Sequence, residues 1–71
     1  MTYAEALRKM REECHITQEM LAHALSVSFA TVNKWENNKT KPLRTIRGQI
    51  VDFAKSKNVS EEIIAVLENI I

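Results

Sequence analysis

The chain has 71 residues, a net charge of +1, one cysteine, one glycine and one proline. A chain this short forms a single domain and buries only about 60% of the surface it exposes when unfolded, so it holds one small core. Cys14 alone excludes an internal disulfide, one cysteine and two histidines fall short of a four-ligand metal site, and no apolar run reaches the roughly 20 residues that span a bilayer.

Ala, Leu, Met, Glu, Lys and Arg are abundant and alternating β-branched runs are absent, which predicts an all-α domain. Thr2 and Glu5 have the spacing of a capping box and open a first helix over about 2–14. Tyr3, Ala6, Leu7, Met10 and Cys14 form its apolar stripe, with Cys14 read as a small hydrophobe. Thr17 caps a second helix from Gln18 to Leu25, with Leu21, Ala24 and Leu25 facing the core and Ala22 small enough for a close helix crossing. Ser26, Val27 and Ser28 make a tight turn, and Ser28 caps a third helix from Phe29 to Glu36. Val32 and Trp35 point inward on that helix. The 100° step per residue puts Ala30, Asn33, Lys34 and Asn37 on the opposite face, with Phe29 and Thr31 at the boundary.

Residues 37–42 form a loop in which Asn38 is the residue best suited to a left-handed conformation. Pro42 leads into a fourth helix over about 43–57, where Leu43, Ile46, Ile50, Phe53, Ala54 and Lys57 keep helical spacing. Ser60 caps a fifth helix bearing Ile63, Ile64, Val66, Leu67, Ile70 and Ile71.

Charge is unevenly distributed. Residues 1–33 carry net −1, residues 34–57 net +5 and residues 58–71 net −3. The positive segment begins inside the third helix, which suggests one face of contact with a polyanion. A solvated basic helix and loop would give the same totals, so the charge argues for nucleic acid only together with the motif. His15 and His23 read as surface residues. Neither has a carboxylate or nucleophile at catalytic spacing, and there is no glycine-rich phosphate loop, so no catalysis, cofactor or small-molecule ligand is expected.

L-R-K-M-R, T-Q-E-M-L-A, V-S-F-A-T-V-N-K-W-E and N-N-K-T-K-P stand at mutual spacings that resemble the phage repressor and Cro-type (XRE-like) helix-turn-helix family over about Leu7 to Lys57. The resemblance implies a compact five-helix, lambda-repressor-like fold whose second and third helices form the helix-turn-helix. It implies a double-stranded DNA partner and a cytoplasmic regulator of bacterial or phage type. By the same resemblance, Ser28, Phe29, Ala30, Asn33 and Lys34 would meet bases, and Gln18, Asn37, Lys39, Thr40, Lys41 and Arg44 would meet phosphates. Arg11 and Glu36 would form a structural ion pair. Ser26 and Asn38 stand where the family usually has glycine. For Phe29, partial burial against the second helix is the competing reading.

The wide apolar band on the fifth helix fits three readings: a homodimer seam with Ile64 and Ile71 outermost, a well-buried last helix, or a cut before a further domain. A protein-interaction or DNA-recruitment module of a larger system, built on the same fold, is the alternative to a sequence-specific regulator.

Overall fold

The computed structural model describes residues 1–69 and contains five helices: α1 (Tyr3–Glu13), α2 (Gln18–Leu25), α3 (Phe29–Glu36), α4 (Arg44–Ser56) and α5 (Glu61–Glu68). No strand occurs among the described residues. The domain is therefore all-α with the five expected helices; Ile70 and Ile71, expected on the fifth, lie outside the described residues.

Local chemistry starts the first three helices. At α1 the capping box is complete: the Thr2 N–H donates to Glu5 Oε1 (2.8 Å) and the Glu5 N–H to Thr2 Oγ1 (3.1 Å). Thr17 Oγ1 accepts from the Met20 N–H at α2, and Ser28 Oγ from the Thr31 N–H at α3. These caps satisfy backbone donors that a helix start otherwise leaves unpaired.

Helices α1 to α4 all end the same way. His15, Ser26, Asn38 and Asn58 have φ between 56° and 60°, in the left-handed region. Each is followed by a 6→1 backbone hydrogen bond: Ile16 N–H to Arg11 O, Val27 N–H to Ala22 O, Lys39 N–H to Lys34 O, and Val59 N–H to Ala54 O. This is the Schellman arrangement, usually built on glycine. Glycine at Ser26 and Asn38 is thus replaced by residues that adopt the left-handed conformation, with asparagine the better tolerated. After three of the four ends the next residue is an apolar plug: Ile16, Val27 and Val59 all pack on the core. After α3 it is the exposed Lys39. The chain leaves α3 with a cation where the other ends carry hydrophobic side chains.

The single glycine, Gly48, lies in the interior of α4, where an added Cβ would meet nothing within 4 Å. Moving it should stabilise the domain. Gly48→Ala combined with Ser26→Gly is expected to add about 1–2 kcal/mol, from regained helix propensity and a relieved left-handed turn. Thermal unfolding checks this; an unchanged melting temperature would contradict the strain assigned to Ser26.

Leu7, Met10, Leu21, Val32, Ile50 and Leu67 are the largest fully buried side chains. Helix α1 packs on α5 and α3, α2 on α3 and α4, and α4 on α5. Ala22 is buried, whereas Ala24, expected in the core, is exposed. The buried set Leu21, Ala22 and Leu25 defines the inner direction of α2, and Ala24 lies roughly a right angle from it.

Helix α4 begins at Arg44, later than expected, with Leu43 at its N-cap. Leu43 is 72% exposed and does not join the core; the buried Pro42 before it and Val51 take that work. Ser60 sits at the N-cap of α5 without capping it. Its N–H and Oγ instead donate to the two carboxylate oxygens of Glu13 (3.0 Å each), tying the end of α1 to the start of α5. On α5, Ile63 and Leu67 are buried, and Ile64 and Val66 are half-buried. No helix among the described residues is long and apolar enough to cross a membrane.

Candidate nucleic-acid interface

Helix α3 is held from its inner side by three residues, Val32, Trp35 and Glu36. Val32 is fully buried and Trp35 is 4% exposed. The last residue, Glu36, is only 3% exposed and is the one buried charged group among the described residues. Arg11 reaches it with both arms of its guanidinium, Nε to Oε2 at 2.8 Å and Nη2 to Oε1 at 2.9 Å. Gln18 Nε2 donates to the same Oε1 at 3.0 Å. Arg8 adds a hydrogen bond to the Glu36 carbonyl (3.1 Å) and lies 3.7 Å from its carboxylate. Arg11 also donates to the Ile16 carbonyl at 3.1 Å, so one side chain fixes α1, the α1–α2 turn and α3 together.

Burial pushes the Glu36 carboxyl up. The hydrogen bonds from Arg11 and Gln18 and the charges of Arg11 and Arg8 outweigh it and hold the group below its usual value of 4.5. Bonding to Glu36 raises Arg11 in turn. The pair expected at Arg11 and Glu36 is therefore present, bidentate and buried at its acidic end. Arg8, one turn before Arg11 on α1, is a further partner not foreseen; its i, i+3 spacing from Arg11 was the available signal. With Glu36 internal and paired with Arg11, Asp52 is the one outward-facing acidic side chain of residues 34–57.

The outer side of α3 is open. Phe29 is 51% exposed, and Ser28, Ala30 and Lys34 are exposed with it. The Ser28 hydroxyl is engaged, capping the helix and sharing a 2.8 Å hydrogen bond with Thr31 Oγ1. Asn33 is half-buried and sits in a chain of amides. Its Nδ2 donates to Gln18 Oε1 at 3.2 Å, and its Oδ1 accepts from Asn37 Nδ2 at 3.0 Å. Asn37 Nδ2 also donates to the Asn33 carbonyl. A continuous polar path thus runs from the buried Glu36 through Gln18 and Asn33 to the surface at Asn37.

Lys39, Thr40 and Lys41 are exposed on the loop after α3, and Arg44 is exposed at the start of α4. The structure therefore brings Ser28, Phe29, Ala30, Lys34 and the basic loop to the surface around one helix. It commits the side chains of Gln18 and Asn37 to internal bonds as well. Among the described residues no group of His, Cys, Asp and Glu is placed to hold a metal ion. Burial pushes the Cys14 thiol up, which disfavours its thiolate.

A family model described as helix-turn-helix matches residues 7–46, more than half of the chain. No curated protein and no solved structure gives a significant match.

Proposed function

The chain belongs to the helix-turn-helix family of the Xre/Cro type, a DNA-binding family, and from that membership we propose that it is a sequence-specific regulator that lays α3 in the major groove of double-stranded DNA. The observation that carries this reading is a helix clamped on one side by Val32, Trp35 and Glu36, with Phe29, Ala30 and Lys34 left open on the other beside Lys39–Lys41. Such a helix presents base-reading groups at a fixed angle, and the loop gives them a phosphate grip.

The side-chain chemistry assigns the roles. Lys34 donates to guanine O6 or N7, and Phe29 and Ala30 pack on thymine methyl groups. Asn33 keeps capacity for adenine despite its internal bonds: a carboxamide has two donor hydrogens and two acceptor lone pairs, and one of each is in use. Gln18 and Asn37 hold Asn33 in one orientation, which favours a bidentate pair. Ser28 meets base edges at the start of α3, and Gln18 meets a phosphate. Asn37, Lys39, Thr40, Lys41 and Arg44 grip phosphates, and the three cations among them give a log–log salt slope of about −3 per copy. The role is binding without bond chemistry, in the reducing cytoplasm of a bacterial or phage-type system.

The backbone of the domain extends 27 Å at most, less than the roughly 34 Å between half-site centres one helical turn apart. One copy covers one half-site, so we place two copies on a palindrome, related by a two-fold axis. The seam proposed on α5 uses Ile64, the apolar residue there that is left half-buried on the side of the exposed Ala65 and Glu68. Sedimentation in the presence of duplex should give two chains per site.

Fluorescence anisotropy on a set of duplexes separates the roles. Asn33→Ala should lose about 1–3 kcal/mol of discrimination at one base pair. Lys39→Ala and Lys41→Ala should weaken all sequences alike, each reducing the salt slope by about 1. An equal loss across all sequences for Asn33→Ala would remove its base-reading role.

A further inference from the structure

Lys41 also borders a second surface. A cleft of about 190 Å³ opens between the start of α1, the first turn of α4 and the end of α5, lined by Met1, Tyr3, Lys41, Arg47, Val66 and Asn69. It is smaller than the roughly 300–1,000 Å³ of pockets that hold drug-sized molecules, and suits one small group. Two buried polar atoms have no hydrogen-bond partner among the described residues, Tyr3 Oη and Arg47 Nε, and both side chains line this cleft.

Donors outnumber acceptors there. Arginine Nε and the ammonium only donate, while the phenol and the Asn69 carboxamide can donate as well as accept. Among the described residues no carboxylate lines the cleft to answer them. Each buried donor left unpaired costs about 1–3 kcal/mol, so two in one cleft need an explanation by an ion or a water. Lys41 and Arg47 favour an occupant that is negative. The phenol keeps its proton for donation: burial pushes it up to about 12, against the pull of the Arg47 charge.

We propose that this cleft seats a phosphate group, with Tyr3 Oη and Arg47 donating to its oxygens and Lys41 neutralising its charge. The group comes from one of two sources, a backbone phosphate of the bound duplex or a free phosphate. Lys41 stands in the loop beside α3, which extends the phosphate grip around the flank of the domain onto α1 and α4. The duplex source rests on the DNA-binding reading above; the phosphate chemistry of the cleft does not.

The experiment has two arms on the full chain. In the first, inorganic phosphate is titrated at constant ionic strength while the Arg47 Nε–H and Tyr3 resonances are followed by NMR. A saturable shift, weakened about tenfold in Tyr3→Phe, is expected for loss of one hydrogen bond to a charged group. In the second, duplex affinity is measured for Tyr3→Phe and Arg47→Gln. Tyr3→Phe should weaken binding by about tenfold at an unchanged salt slope, and Arg47→Gln should reduce the slope by about 1. A duplex effect, with or without a shift on free phosphate, assigns the seat to the DNA backbone. A phosphate shift with unchanged duplex affinity assigns it to a free phosphate. A phosphate shift in a chain that binds no duplex upholds the cleft and removes the regulator reading. No saturable shift together with unchanged duplex affinity overturns the proposal and leaves the cleft to water.

Discussion

Arg11→Ala is expected to lower folding stability by about 3–5 kcal/mol, the cost of stranding a buried carboxylate. A domain of 71 residues has about 4–10 kcal/mol in all, so the loss is a large share of what holds it folded. Glu36 is 3% exposed and cannot turn to water without moving α3. Arg8 is already close, at 3.7 Å, and Gln18 keeps its bond, which places the expected loss toward the lower end of that range. Removing both charges is a different experiment. Arg11→Met with Glu36→Leu should recover most of the stability, because no unpaired charge remains.

Acidification should act through the same group. The Glu36 carboxyl is held below 4.5 in the folded chain, so its contribution is complete above that pH and is lost as pH falls through the folded value. Urea midpoints measured at neutral pH and below pH 4.5 test both statements. An Arg11→Ala midpoint equal to that of the unmodified chain would reject the clamp.

Trp35→Ala should cost about 3–5 kcal/mol, the range for removing a buried aromatic side chain. For a domain this small, each kcal/mol shifts the melting temperature by about 4–8 °C, so a fall of at least about 12 °C is expected. The variant also decides what Trp35 does on α3. At 4% exposure it anchors the helix to the core beside Val32. A tryptophan serving as a base-stacking platform would give the opposite result, an unchanged melting temperature with weakened DNA binding. Trp35→Phe, which keeps most of the apolar contact, should fall between the unmodified chain and Trp35→Ala.

Features governed by local chemistry were legible in the sequence. Helices α2 and α3 begin and end where Thr17, Ser28 and the turn at Ser26 indicate, because caps and left-handed residues act within four positions of themselves. The ion pair of Arg11 and Glu36 was implied by the resemblance, and the two side chains bond at 2.8 and 2.9 Å. Features governed by tertiary contact were not legible. Nothing near Ser60 announces that Glu13, 47 residues away, takes its hydroxyl. Ala24 and Leu43 have the right spacing for the core and lie outside it, since the neighbours that define the inner direction come from other helices. Likewise Gln18, expected on a phosphate, bonds Glu36 and Asn33 only once α1 and α3 have packed beside it. Tyr3 and Arg47 meet only once α1 and α4 have packed around α5.

The polar path from Glu36 to Asn37 links stability and aim. Arg11 fixes Glu36, Glu36 fixes Gln18, and Gln18 and Asn37 fix Asn33 on α3. The base reading proposed for Asn33 therefore depends on a clamp in the interior as much as on its own amide. Selection of binding sites from a random duplex library tests the central claim most directly. The account predicts enrichment of one palindromic sequence, with half-sites about one helical turn apart. Recovery of the library without enrichment, at any salt concentration that permits binding, would contradict it.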